Sequence, residues 1–149
     1  MDVKDKQIVD LLQRDGNLSY QEIGNQIDLS ITAVKERIKK LKQDEVLREK
    51  VYLANPLAFG LDILAFVYVL MPIPSQERHF IEEIRKVPEV QECHSVTGEY
   101  SYLLKVRVPN TMRLEEFMSE KITSIEGVER TNSLITLTTF KETTQIHIH

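Results

Sequence analysis

The sequence predicts an α+β chain in which three short helices precede strands and helices in the order β-α-β-β-α-β. Three observations carry that prediction. Apolar residues recur at helical spacing between Ile8 and Leu41, and the apolar run Ile63–Met71 has the length of a buried strand. Two later helical segments also run into matched turns, Val87-Pro88-Glu89-Val90-Gln91 and Ile125-Glu126-Gly127-Val128-Glu129, which form a weak internal repeat.

Taken in order, Asp2 is placed to cap a first helix carrying Ile8, Leu11 and Leu12 on one face, and Gly16-Asn17 ends it. Ser19 and Glu22 have the spacing of a capping box, which opens a helix burying Ile23 and Ile27. Asp28-Leu29 makes a tight break, and Ser30 caps a third helix running to Lys42. In that helix Val34, Ile38 and Leu41 form one stripe facing a core, which leaves Thr32, Lys35, Glu36, Lys39 and Lys40 facing outward. Val46–Tyr52 mixes apolar and polar residues at roughly strand period and reads as a short hairpin, or wing. Two short helices joined by a tight break, the second basic on its outer face, are the arrangement by which a helix-turn-helix meets DNA. Lys35, Lys39 and Lys40 suit phosphates, Thr32 and Glu36 suit base edges, and the free amides behind Ser30 favour an anion. A charge run on one helix is often only a solvated face, so the reading rests on the three-helix context.

Asn55-Pro56 interrupts the pattern, and Leu57–Leu61 with Gly60 suits a hinge. Beyond it the expected elements are strands at Ile63–Met71, Val90–Val96, Tyr102–Val108 and Val128–Phe140, with helices at Ser75–Lys86 and Arg113–Ile125. That order is the split βαβ, or ferredoxin-like, arrangement. The division is therefore a winged helix-turn-helix at 1–53, a hinge at 54–61 and a βαββαβ domain at 62–149. Phe80, Ile81, Ile84 and Val87 line one face of the first helix, and Leu114, Phe117, Met118, Ile122 and Ile125 one face of the second. Both helices cover the same sheet face. Because Ile63–Met71 is apolar at both parities, the other face also needs cover, and a second copy of the chain supplies it in a homodimer.

At 149 residues the chain can form one large or two small domains. No stretch reaches the ~18 apolar residues that a membrane helix needs, and no signal peptide is legible at the start, so a cytoplasmic protein without membrane contact is expected. The single cysteine, Cys93, excludes an internal disulfide and reads as a small buried apolar residue. A net charge of -4 does not announce a nucleic-acid partner. Its distribution does more: residues 1–50 hold ten Lys/Arg against ten Asp/Glu, residues 51–149 nine against thirteen, and Lys35–Lys42 concentrates five basic residues beside Glu36 alone.

The stretch Gln91–Pro109 with Gly98 at its turn, together with Asp2 and Asp5 before Ile8, Leu29-Ser30, Glu36-Arg37, Leu41, Asn55-Pro56 and Gly127-Val128, resembles the leucine-responsive regulatory protein / asparagine regulator (Lrp/AsnC, feast/famine) family of transcription regulators. The resemblance covers nearly the whole chain. It implies DNA binding as a dimer, frequent assembly into octamers, and a small effector, an amino acid, held between dimers at an ACT-like domain near the Gly-containing hairpin. Carried over by position, the effector residues are Thr97, Gly98, Glu99, Tyr100 and Ser101, with Thr131, Ser133 and Thr136 from the last strand. Glycine allows close approach to backbone amides, hydroxyls and amides suit an α-carboxylate, and Glu99 suits an α-ammonium.

The chain departs from the family pattern at four positions: Ser101 replaces a common Asp, Asp28 and Glu45 stand where Gly is usual, and Ile31 replaces a frequent Pro. No nucleophile elbow, P-loop, metal-ligand spacing or paired-carboxylate motif is present, so no catalytic residue, metal or cofactor is expected. His147 and His149, alternating with Ile146 and Ile148, read as the polar face of a terminal strand rather than a metal pair, and His94 as a structural histidine. Two competing classes share this architecture: a ligand-independent architectural DNA-binding protein, and an enzyme resembling the sirohaem decarboxylases.

Overall fold

The computed structural model describes all 149 residues, Met1–His149. They form two compact units, Met1–Leu53 with Lys141–His149, and Ala54–Phe140.

The first unit is built on α1 (Val3–Arg14), α2 (Tyr20–Ile27) and α3 (Ile31–Gln43). The caps expected from the sequence form. Asp2 accepts from the Asp5 amide while Asp5 accepts from the Asp2 amide, both at 2.9 Å, and Ser19 and Glu22 make the same reciprocal box at α2. The three helices bury Ile8, Val9, Ile23, Ile27, Val34, Ile38 and Leu41 in one core. Gly24 is where α2 passes closest to the following turn: its amide plane lies so near Leu29 that an added Cβ would sit 2.4 Å from the Leu29 carbonyl oxygen. That carbonyl-side contact accompanies a hydrogen bond from the Leu29 amide to Gly24 O (3.0 Å), which fixes the tight break between α2 and α3. Asp28 and Glu45 both adopt φ 55°, the left-handed region that favours glycine.

The structure corrects the sequence reading at one place in this unit, and it also packs here a segment that the sequence reading gives to the second domain. Val46–Tyr52 forms no hairpin: seven residues are too few for two strands and a turn, and instead the Val46 and Leu47 amides fold back onto the Leu41 carbonyl at 2.9 and 3.0 Å. The segment Lys141–His149, assigned to the second domain from the sequence, packs with the first unit. The Gln13 side chain takes the Ile146 amide (2.8 Å) and donates to the Ile146 carbonyl (3.2 Å), Gln145 Nε2 donates to Gln13 O (2.8 Å), and Ile148 joins the helical core. These backbone groups pair with α1 rather than with a sheet edge, so residues 141–149 are not strand.

The second unit contains β1 (Ile63–Leu70), α4 (Glu77–Ile84), β2 (Val90–Ser95), β3 (Tyr102–Val108), α5 (Thr111–Phe117) and β4 (Arg130–Ile135). All pairings are antiparallel, in the order β2-β3-β1-β4. The expected last strand, 128–140, is shorter, because pairing with β1 ends at Ile135 opposite Ala65. The expected helix 113–125 begins earlier, at the Asn110 cap, and opens into a π-turn over Met118–Ile122, stabilised by Thr123 Oγ1 donating to Met118 O at 3.1 Å. Ala65, Val67, Val69, Tyr102, Leu104, Val106 and Val108 form the buried sheet face under Phe80, Ile84, Leu114, Phe117 and Ile122. On the opposite face Phe66, Tyr68 and Leu70 are only half-buried, and Leu134 is 51% exposed. Cys93 is exposed on β2 rather than buried, because β2 is an edge strand with little packed beyond it.

Candidate functional site

The DNA-facing candidates lie on α3. Ser30 Oγ accepts from the Ala33 amide at 3.2 Å, which leaves the helix start ordered and its remaining first-turn amides outward. Thr32, Lys35, Glu36, Lys39 and Lys40 are all exposed, on the side opposite the buried Val34, Ile38 and Leu41. The one basic residue of this run that turns inward is Arg37. Its Nη1 bonds Asp2 and Asp5, each at 2.7 Å, and so ties the middle of α3 to the capping box of α1. The hydrogen bond from the Asp5 amide, and then the Arg37 guanidinium, hold the Asp2 carboxyl below its usual range. The outer face of α3 is thereby braced by a residue whose role the sequence reading left open.

The ligand-side candidates divide by position. Thr97–Ser101 form the β2–β3 hairpin, closed by the Val96 amide on Ser101 O (3.0 Å), and Gly98 at its tip has φ 116° with no other atom near the Cβ position. Ser101 is consumed internally: its hydroxyl donates to Met71 O and accepts from the Met71 amide, both 3.0 Å, and its amide bonds Val69 O. Glu99 is ion-paired with Arg130, the first residue of β4. The Arg130 guanidinium carbon stands 5.3 Å from the Tyr100 ring centroid, and Tyr100 lies 5.3 Å from the Tyr68 ring. Arg130 and Tyr68 were not predicted; a lone Arg at a strand start and a Tyr inside an apolar run carry no local signal.

Thr131 and Ser133 pair with Val69 and Val67, so they occupy the helix-covered face of the sheet, opposite Arg130 and Tyr68. Ser133 opens onto a cavity of about 400 Å³ shared with Leu114, Met118, Ser119 and Thr123. Thr136 bonds Leu64 O at the far end of β1. Within one chain, then, the hairpin joins Arg130 and Tyr68, while Ser133 and Thr136 stand apart from it.

His94 is exposed and pairs with Glu92 (3.2 Å). His147 and His149 stack edge to face at 4.5 Å, and no group of three His, Cys, Asp or Glu side chains could hold a metal ion. No helix is long and apolar enough to cross a membrane.

Residues 1–42 match the AsnC-type helix-turn-helix domain, and residues 65–146 match the Lrp/AsnC ligand-binding domain. The chain belongs to the Lrp/AsnC family. The HTH-type transcriptional regulator FL11 of Pyrococcus furiosus is 34% identical over 148 residues, covering 99% of this chain and 97% of the relative. The leucine-responsive regulatory protein of Escherichia coli is 29% identical over 150 residues, covering 99% and 92%. A crystal structure of a transcriptional regulator–L-Met complex from Neisseria meningitidis superposes with a TM-score of 0.93 at 28% identity, covering 99% of this chain and 96% of that one. This Lrp/AsnC chain is thus a transcriptional regulator with a helix-turn-helix and a ligand-binding domain, not an enzyme.

Proposed function

We propose that this regulator binds specific double-stranded DNA as a homodimer, controls genes of amino-acid metabolism in the cytoplasm, and responds to an amino acid held between dimers that assemble into octamers. The observation that carries the reading is the exposed face of α3, where Lys35, Lys39 and Lys40 project together without an ion pair beside Thr32 and Glu36. The lysines position the phosphate backbone, whereas Thr32 and Glu36 read base edges and the Ser30 end of α3 adds backbone donors. Dimerisation uses the sheet face around Phe66 and its pair Leu134, whose apolar side chains one chain leaves partly open. Thr97, Gly98, Glu99, Tyr100 and Ser101 form the effector hairpin, with Ser101 shaping it rather than touching ligand; Thr131 and Ser133 contribute from β4 and Thr136 from just beyond it.

The test is fluorescence anisotropy of a labelled duplex from upstream of the protein's own gene, at two salt concentrations and with a panel of amino acids. Salt-sensitive binding that prefers this duplex and shifts with one amino acid is the expected result. Equal binding to every duplex without an amino-acid response would replace the reading with an architectural one. Gly98→Asp is expected to abolish the response while sparing dimerisation, and a response that survives it would put the ligand elsewhere.

A further inference from the structure

Resting on that reading of the hairpin, we infer that Arg130 is a specificity-determining residue of the effector site: with Glu99 it forms a two-sign receptor for an α-amino-acid zwitterion whose side chain lies along Tyr100. Four observations converge on this.

The first is what Ser101 lacks. Its hydroxyl donates to Met71 O and accepts from the Met71 amide, and being neutral it supplies no charge to a ligand. The charge for an ammonium group must come from elsewhere on the hairpin, and Glu99 is the carboxylate there.

The second is register. Arg130 pairs with Leu70, on the same sheet face as Tyr68, at the end of β1 that the hairpin joins through the Ser101 amide. A cation is therefore delivered to the hairpin by a different strand, and Glu99 has found it. Third, the guanidinium is oriented as well as near: it lies beside the Tyr100 face at 5.3 Å, and Tyr68 backs Tyr100. A guanidinium so held offers its remaining N–H donors as a planar fork suited to a carboxylate.

The fourth is exchangeability. Arg130 is 52% and Glu99 67% exposed, and an ion pair in water at that exposure contributes little, so a ligand can part it without a large loss. Glu99 and Arg130 occupy each other in the free protein. A zwitterion supplies both missing partners at once, its carboxylate to Arg130 and its ammonium to Glu99, and no net charge changes on binding. A ligand with only one charged group would free one member of the pair without replacing its partner. The pair therefore selects for zwitterions, and the tyrosine surface selects for apolar or aromatic side chains.

The test uses the full chain and isothermal titration with amino acids of apolar and aromatic side chain, each beside its deaminated and its decarboxylated analogue. The chain has no Trp and five Tyr, so tyrosine fluorescence, to which Tyr100 and Tyr68 contribute, gives a second readout. Wild-type protein should bind the zwitterion in preference to both analogues. Arg130→Gln should lower zwitterion affinity by about tenfold or more, with Arg130→Lys restoring part of it. Glu99→Gln should separate the analogues: zwitterion affinity falls, whereas the deaminated acid, no longer competing with Glu99 for Arg130, binds more tightly than to wild type. A merely structural pair would not move the two ligands in opposite directions. If wild type binds an amino acid, Gly98→Asp abolishes it and Arg130→Gln leaves it unchanged, the Arg130 assignment fails while the hairpin reading stands. If wild type binds none of the panel, both fail together.

Discussion

The two surfaces assigned to ligands hold their charge in opposite ways. On α3 the lysines are exposed, of one sign and unpaired; at the hairpin Glu99 and Arg130 are of opposite sign and already joined. A polyanion can be met by free positive charge, because each phosphate releases counterions as it is neutralised. A small zwitterion needs both signs within reach of one molecule, and both must be prevented from attracting anything singly charged. The basic residue that α3 does pair, Arg37, is spent on bracing the helix against α1 and adds no free charge to the DNA face.

Breaking the helical unit should remove the first surface and leave the second. Gly24→Ala places a Cβ 2.4 Å from Leu29 O, so the turn before α3 must shift; a loss of about 1–3 kcal/mol of stability in that unit is expected, seen as a lower melting temperature and lost DNA binding with amino-acid titration at the hairpin retained. Wild-type melting in this variant would mean the turn can yield freely. Deleting Lys141–His149 removes the Gln13 clamp and Ile148 from the core, and should cost the same unit about 1–2 kcal/mol, read most directly as faster amide exchange in α1. Slower or unchanged exchange there would contradict a packing role for the segment.

The remaining tests sharpen the contrast. Lys39→Ala should weaken binding to all duplexes alike and reduce the slope of log affinity against log salt by about 1, whereas amino-acid affinity at the zwitterion pair should not change. A change confined to one duplex would make Lys39 a base-reading residue. Glu45→Gly relieves a side chain held at φ 55° and should raise stability by about 0.5–1 kcal/mol in thermal melts, without altering either surface.

How far each surface was legible follows from the range of the interactions that build it. Val34, Ile38 and Leu41 fix the outward face of α3 by spacing alone, and Ser30 marks its start, so every α3 candidate could be named from neighbours a few residues away. The βαββαβ order was legible for the same reason, since Ile63–Met71 and the two apolar helix stripes are local patterns. Arg130 was not, because its meaning depends on β4 pairing beside β1 and on the hairpin folding back to the same edge, a contact across 31 residues. Arg37 was hidden among basic neighbours until its partners, more than thirty positions away, were in place. The Val46–Tyr52 hairpin was a false positive of period: alternation without a turn residue does not make two strands. Cys93 shows the converse, a residue type that is usually buried placed on an edge.

The docking of Lys141–His149 onto α1 brings the end of the described residues back to the first helix, so the polypeptide leaves the first unit after Leu53 and returns to it at Lys141. Gln13 and Ile146 are 133 positions apart, so this clamp is a long-range contact whose loop-closure entropy must be met before it contributes. A change at either end of the sequence is thereby felt at the other.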